Sequence, residues 1–121
     1  IYVAPSGGRD RKDQDGIVRV APFDPQSGEM FRLIAQNAAQ PVRFHPLALC
    51  TYDLLPPPVS IEKSLGEKRD AHCTPILASF GPAIDMDDFA GSDHPDKVQR
   101  RVNRADHIWG LINDAYTALT D

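Results

Sequence analysis

No stretch of this 121-residue sequence stays apolar for the roughly 20 residues that a membrane-spanning helix needs, so no transmembrane segment is expected. Cysteine is scarce. Cys50 and Cys73 lack the C-x-x-C spacing of metal and redox motifs and read as buried or half-buried free thiols in a reducing compartment. A basic excess is missing too: 13 Lys and Arg face 17 Asp and Glu, a formal charge of −4. Phosphate-backbone binding needs a net basic surface or a basic stripe, which argues against nucleic acid as a partner. There is no G-x-x-x-x-G-K-[ST], no G-x-G-x-x-G and no G-x-S-x-G, which removes the Walker, dinucleotide and nucleophile-elbow readings. Asp85, Asp87, Asp88, Asp93 and Asp96 cluster without the glycine and terminal Glu of an EF-hand, and read as a solvated acidic loop. His45, His72, His94 and His107 read as structural or solvent-facing, and no cofactor or metal is implied. There is no internal repeat, no low-complexity tract and no signal or transit pattern. The chain begins without Met, at a motif, and is read as a piece whose own N-terminus lies upstream.

What is present is a globular composition, 41% apolar, enough for one domain or part of one. Residues 1–4 read as a strand and 5–16 as a polar loop; Ile17–Val20 is a short strand or a loop anchor. Asp24-Pro25 opens a helix over about 26–39, with Met30, Leu33, Ile34 and Ala38 at helical spacing and Pro41 stopping it. Val42 to Leu55 is strand-like, interrupted by Pro46. Its run Leu47–Tyr52 lacks alternation, as in a strand buried on both faces. Pro56-Pro57-Pro58 ends it, Val59 to Leu65 alternates like a half-exposed strand, and Gly66–Asp70 is a charged turn. Ile76 to Ile84 reads as a strand weakened by Gly81-Pro82, and Met86 to Phe89 as a helical turn.

The last element is a long amphipathic helix, with Pro95 near its first position and Ser92 or Asp93 as cap. Val98, Val102, Ala105, Trp109, Ile112, Tyr116 and Leu119 recur at alternating spacings of 4 and 3, over about 36 Å. Arg100, Arg101 and Arg104 fall mostly off that stripe. A coiled-coil seam fits less well than packing on a sheet or on other helices, because Ala and Trp are poor seam residues.

The chemistry-bearing motif is Ala4-Pro5-Ser6-Gly7-Gly8-Arg9-Asp10-Arg11. Glycines let backbone turn tightly and approach a ligand, and forked guanidinium donors match phosphate or carboxylate. Two readings stay open from residue types: an arginine clamp on an anion, or a charged hairpin with Arg9–Asp10 and Arg11–Asp13 pairs worth little each.

Ile1 to Arg11 resembles the glycine–arginine block of the soluble glycerol-3-phosphate acyltransferases of plastids and some bacteria. Pro46-Leu47-Ala48-Leu49-Cys50-Thr51-Tyr52-Asp53-Leu54-Leu55-Pro56-Pro57-Pro58 resembles that family's second block, and Gly66-Glu67-Lys68-Arg69 a shorter third. The resemblance implies an α/β fold: part of an αβα acyltransferase domain, with a mixed sheet and a long C-terminal helix. Residues 1–121 would be the C-terminal portion of that domain. It implies transfer of a fatty acyl group from acyl carrier protein or acyl-CoA to the sn-1 hydroxyl of glycerol 3-phosphate. Arg9 and Arg11 would hold the substrate phosphate, and Gly7 and Gly8 would shape the loop around it. The implied location is the plastid stroma in a plant or alga, and the cytoplasm in a bacterium.

One departure matters. The family's general base is the His of a His-x-x-x-x-Asp pair, yet the residues five after the histidines are Cys50, Leu77, Gln99 and Ile112. This segment is therefore expected to be inactive alone, with the catalytic pair upstream. The alternative is a non-catalytic anion-binding or regulatory module that keeps the arginine loop, with a helix-mediated interaction module behind it. Lys63, Lys68, Arg69, Arg100, Arg101 and Arg104 form a basic set that either meets the acidic carrier protein or is a solvated face.

Overall fold

The computed structural model describes residues 1–8, 10–57 and 70–121. The expected strand over Val59–Leu65, the turn at Gly66–Arg69, and the residues Pro58 and Arg9 lie outside the described residues.

Helix α1 spans Pro25–Gln36. Asp24 caps it, its carboxylate accepting from the Gln26 amide at 3.2 Å and the Ser27 hydroxyl at 3.0 Å, with Pro25 in the first turn where no amide is needed. The face that packs is not the one the apolar spacing marks. Met30, Leu33 and Ile34 are exposed, whereas Gly28, Phe31, Arg32 and Ala35 are half-buried. A polar cluster, described below, turns this second face inward.

Strands β1 (Leu47–Cys50) and β2 (Leu77–Phe80) form one antiparallel pair, with Leu47 opposite Phe80 and Cys50 opposite Leu77. Pairing resumes beyond a break at an isolated bridge between Phe44 and Ile84, where the Ile84 amide donates to the Phe44 carbonyl at 2.7 Å. The break has a steric cause. Gly81 lies so close to the Pro46 ring that an added Cβ would sit 2.6 Å from its Cγ, and proline brings no amide to a ladder. Burial of β1 on both faces does not hold: Ala48 is 1% exposed but its neighbour Leu49 is 38% exposed.

Helix α2 spans Lys97–Thr120, 24 residues or about 36 Å. It starts later than expected. Asp96 is the cap, accepting from the Val98 amide at 3.1 Å, and its own amide donates to His94 Nδ1 at 3.1 Å. Pro95 stands one residue before that cap. That leaves Ser92 and Asp93 too far back to serve. The segment 86–89 bends without forming a helical turn.

The expected α/β class and long C-terminal helix are present; among the described residues the sheet is a two-stranded antiparallel pair, with no mixed sheet. A single antiparallel pair is present, and α2 packs against β1, β2 and α1. Ile1–Val3 is not a strand; its amides find no ladder partner among the described residues, and an unpaired strand gains nothing to offset its ordering. Among the described residues the buried apolar side chains are few: Val20, Ala48, Met86 and Ala105, with Pro46 and Pro57.

One charged residue joins that core. Arg104, 7% exposed, donates from Nε to the Met86 carbonyl at 2.8 Å and from Nη1 to Glu29 at 2.7 Å, and its guanidinium lies 5.5 Å from the Phe89 ring centroid. Glu29 also receives both Arg32 donors at 2.9 and 3.1 Å, and Arg32 reaches Asp87 at 3.4 Å. Arg32 first, then Arg104, holds the Glu29 carboxyl below its ordinary value of 4.5. A depressed carboxyl stabilises the fold above its unfolded value, and the effect fades as pH falls through the folded one. Glu29→Ala is expected to cost about 1.5–3 kcal/mol at pH 7 in urea unfolding, because two arginines lose a charged acceptor. The difference from the parent should shrink at pH 3. Arg104→Met, which removes the charge and keeps the stem, should cost less than Glu29→Ala.

Candidate anion-binding loop

The glycine–arginine segment opens a closed loop. Its neck is a hydrogen bond from the Asp24 amide to the Pro5 carbonyl at 3.0 Å, just ahead of α1. Inside it, the Gly7 amide donates to the Ala4 carbonyl at 3.1 Å, and Gly7 takes φ +71°, the left-handed region that glycine adopts without steric cost. Ser6 Oγ donates to the Gly8 carbonyl at 3.3 Å. Farther along, Lys12 bridges Val18, and Asp13 gathers the turn between them by accepting the amides of Asp15 and Ile17 at 2.9 and 3.0 Å. The Asp13 carboxylate also binds Arg19, which, as the largest cause, holds its carboxyl below the ordinary value. Lys12 Nζ lies 5.6 Å from the Tyr52 ring centroid, which brings the loop against the end of β1.

Asp10, between the two arginines, accepts the Ala21 amide at 3.0 Å. The preceding carbonyl, that of Val20, accepts from Trp109 Nε1 on α2 at 3.1 Å. The loop is thus tied to itself through Asp10 and to the long helix through Trp109.

Two cavities, of about 510 and 450 Å³, lie against the loop and share Tyr2, Gly8, Asp10, Leu49 and Tyr116 in their walls. Nothing lies within 4 Å of where a Gly8 Cβ would stand, so backbone faces open space beside both. Ile1, Phe80 and Ile112 make the larger one mainly apolar, while Thr51 and Tyr52 line the other. Burial pushes the Tyr116 hydroxyl above the ordinary tyrosine value, with Cys50 a smaller contributor. The chemistry on offer is a polar, glycine-lined rim over an apolar recess.

Of the residues singled out in the sequence, Gly7 and Gly8 lie in the turn and on the cavity wall respectively. Arg11 is half-buried within the same loop, and Arg9 lies outside the described residues. Asp10 and Trp109 were not foreseen in this role. Asp10 read as a neighbour for Arg9, and Trp109 as one member of an apolar stripe, since an indole N–H leaves no trace in periodicity. Cys50 is a half-buried free thiol, but Cys73 is exposed and corrects the expectation for that residue; no element among the described residues covers it. His45 reaches the Gly81 carbonyl at 3.0 Å and His107 stacks on Phe89 with ring centroids 5.5 Å apart. Asp85 accepts the amides of Asp87 and Asp88, which hold its carboxyl below the ordinary value. Among the described residues, no three His, Cys, Asp or Glu side chains gather to hold a metal ion, and no helix is long and apolar enough to cross a membrane.

No family model matches the chain. Curated proteins do. Over 98% of its length the chain is 38% identical to a chloroplastic glycerol-3-phosphate acyltransferase of Cucurbita moschata, of which it covers 27%. It is 33% identical, over the same share, to the chloroplastic glycerol-3-phosphate acyltransferases of Arabidopsis thaliana and Spinacia oleracea, of which it covers 26% and 25%. The chain therefore spans about a quarter of the length of the curated relatives it matches.

The two loop glycines separate experimentally. Gly7→Ala should cost about 1–2 kcal/mol in denaturant unfolding, because an alanine at φ +71° is strained. Gly8→Ala meets no atom and no positive φ, so it should leave stability unchanged or raise it by about 0.4–1 kcal/mol.

Proposed function

We propose that this chain, a homologue of plastid glycerol-3-phosphate acyltransferases along nearly its whole length, is the substrate-phosphate-binding portion of such an enzyme. The observation that carries the reading is the closed glycine–arginine loop, whose Gly8 backbone faces open space on the shared wall of two cavities. In this reading Arg9 and Arg11 donate to the phosphate of glycerol 3-phosphate as forked, permanently charged groups. Gly7 sets the turn and Gly8 lets the ligand approach backbone.

The segment is the C-terminal part of an αβα acyltransferase domain. The full enzyme moves a fatty acyl group from acyl carrier protein or acyl-CoA to the sn-1 hydroxyl. Removal of that hydroxyl's proton falls to a His-x-x-x-x-Asp pair elsewhere in the parent protein, since no histidine of this chain has Asp five residues later. The chloroplastic relatives support a plastid stroma location in a plant or alga; in a bacterium the same enzyme works in the cytoplasm.

In the full-length enzyme, Arg9→Ala and Arg11→Ala should each raise the glycerol 3-phosphate KM. A lost charge-assisted hydrogen bond of about 1.5–3 kcal/mol corresponds to roughly 10- to 150-fold. The KM for the acyl donor should stay constant. Unchanged glycerol 3-phosphate kinetics in both variants would refute the assignment. The 121-residue segment assayed by itself with acyl donor and glycerol 3-phosphate should show no turnover.

A further inference from the structure

The two anchors of the loop meet on one peptide group. The carbonyl of Val20 and the amide of Ala21 belong to the same peptide unit. The first accepts the Trp109 indole N–H at 3.1 Å, and the second donates to the Asp10 carboxylate at 3.0 Å. In a trans peptide these two groups point in opposite directions, and no peptide bond here is cis. The result is one continuous relay: indole N–H, carbonyl, amide N–H, carboxylate. Val20 is buried at 9% exposure, and its bond to Trp109 is partly buried. Each bond in such a chain polarises the next. The relay ends on the residue between Arg9 and Arg11.

We propose that Trp109 and Asp10 are positioning residues for substrate phosphate. In this role α2 fixes, through the Val20–Ala21 peptide, the backbone at Asp10, next to Arg11. Neither side chain needs to touch the substrate. Trp109 supplies the donor because it sits on α2, which packs against β1, β2 and α1 and so cannot move independently of them. Asp10 carries that anchor to the backbone next to Arg11, beyond the Pro5–Asp24 neck and the Gly7 turn. The proposal rests on the phosphate-binding reading of the loop.

The test uses the full-length enzyme. Trp109→Phe keeps a ring and removes the donor; Asp10→Ala removes the acceptor; Asp10→Asn keeps an acceptor oxygen for the Ala21 amide. Each of the first two should raise the glycerol 3-phosphate KM about 3- to 10-fold, the equivalent of one hydrogen bond. The acyl-donor KM should hold and kcat should change less than twofold. Asp10→Asn should recover most of the lost affinity. The double variant Trp109→Phe/Asp10→Ala should raise KM no further than the worse single variant, since both act on one peptide. A purely structural role would instead lower kcat and the melting temperature together and move both KM values. If Trp109→Phe fails to fold, the two Asp10 variants, at a half-buried loop position, carry the comparison. Arg11→Ala run in parallel separates the two claims. A raised KM there with wild-type KM in Asp10→Ala would overturn the relay alone, whereas unchanged KM in Arg9→Ala and Arg11→Ala would overturn the phosphate site itself.

Discussion

The buried guanidinium of Arg104 is the interaction on which the arrangement turns. Its Nε satisfies the Met86 carbonyl and its Nη1 binds Glu29, while the Phe89 ring lies against its charge. Three parts of the chain meet there: α1, α2 and the bend at 86–89. An uncompensated charge at that depth would be costly, so Glu29 must face inward, and α1 must present Gly28, Phe31, Arg32 and Ala35 with it. Arg32 completes the cluster by gripping Glu29 with two donors and reaching Asp87. The apolar residues Met30, Leu33 and Ile34 are consequently turned outward. A polar network has overridden hydrophobic periodicity in selecting the packed face of a helix.

With α1 and α2 locked, the loop between Pro5 and Asp24 is held at both ends. Asp24 serves twice: its side chain caps α1 and its amide closes the loop onto Pro5. The loop's middle is tied to α2 by the Trp109 indole. Catalytic and binding residues work best on short loops held by rigid elements, and the glycine–arginine segment is built in that manner. Its Gly8 and Asp10 form part of the walls of two cavities that β1 and α2 also line, through Leu49 and Tyr116. The polar rim and the apolar recess are therefore set by the same few elements.

Much of this was legible from residue order. The α1 cap at Asp24-Pro25, the length of α2, the strand character of Leu47–Cys50 and the loop character of the described residues of 5–16 all follow from local chemistry, and all are found. The glycine–arginine and Pro-Leu-Ala-Leu blocks pointed to the glycerol-3-phosphate acyltransferases, and the curated relatives agree. What failed were inferences that needed a neighbour. Ile1–Val3 has strand composition but no ladder among the described residues. Cys73 has the residue type of a buried thiol but is exposed. Arg104 looked like one of several basic residues on an outer face, and is the most buried charge among the described residues.

Sequence by itself determined where helices begin and turns fall, because caps, prolines and glycines act within a few residues of themselves. It also placed two arginines beside two glycines in one polar loop, the residue types from which an anion clamp or a charged hairpin can be built. Only the tertiary structure decided which helix face is buried, which carboxylate pairs with which cation, and that one peptide between Val20 and Ala21 joins Trp109 to Asp10. Those outcomes depend on hydrogen-bond partners 75 or 89 residues away. Such partners are chosen by burial, and no local pattern encodes them.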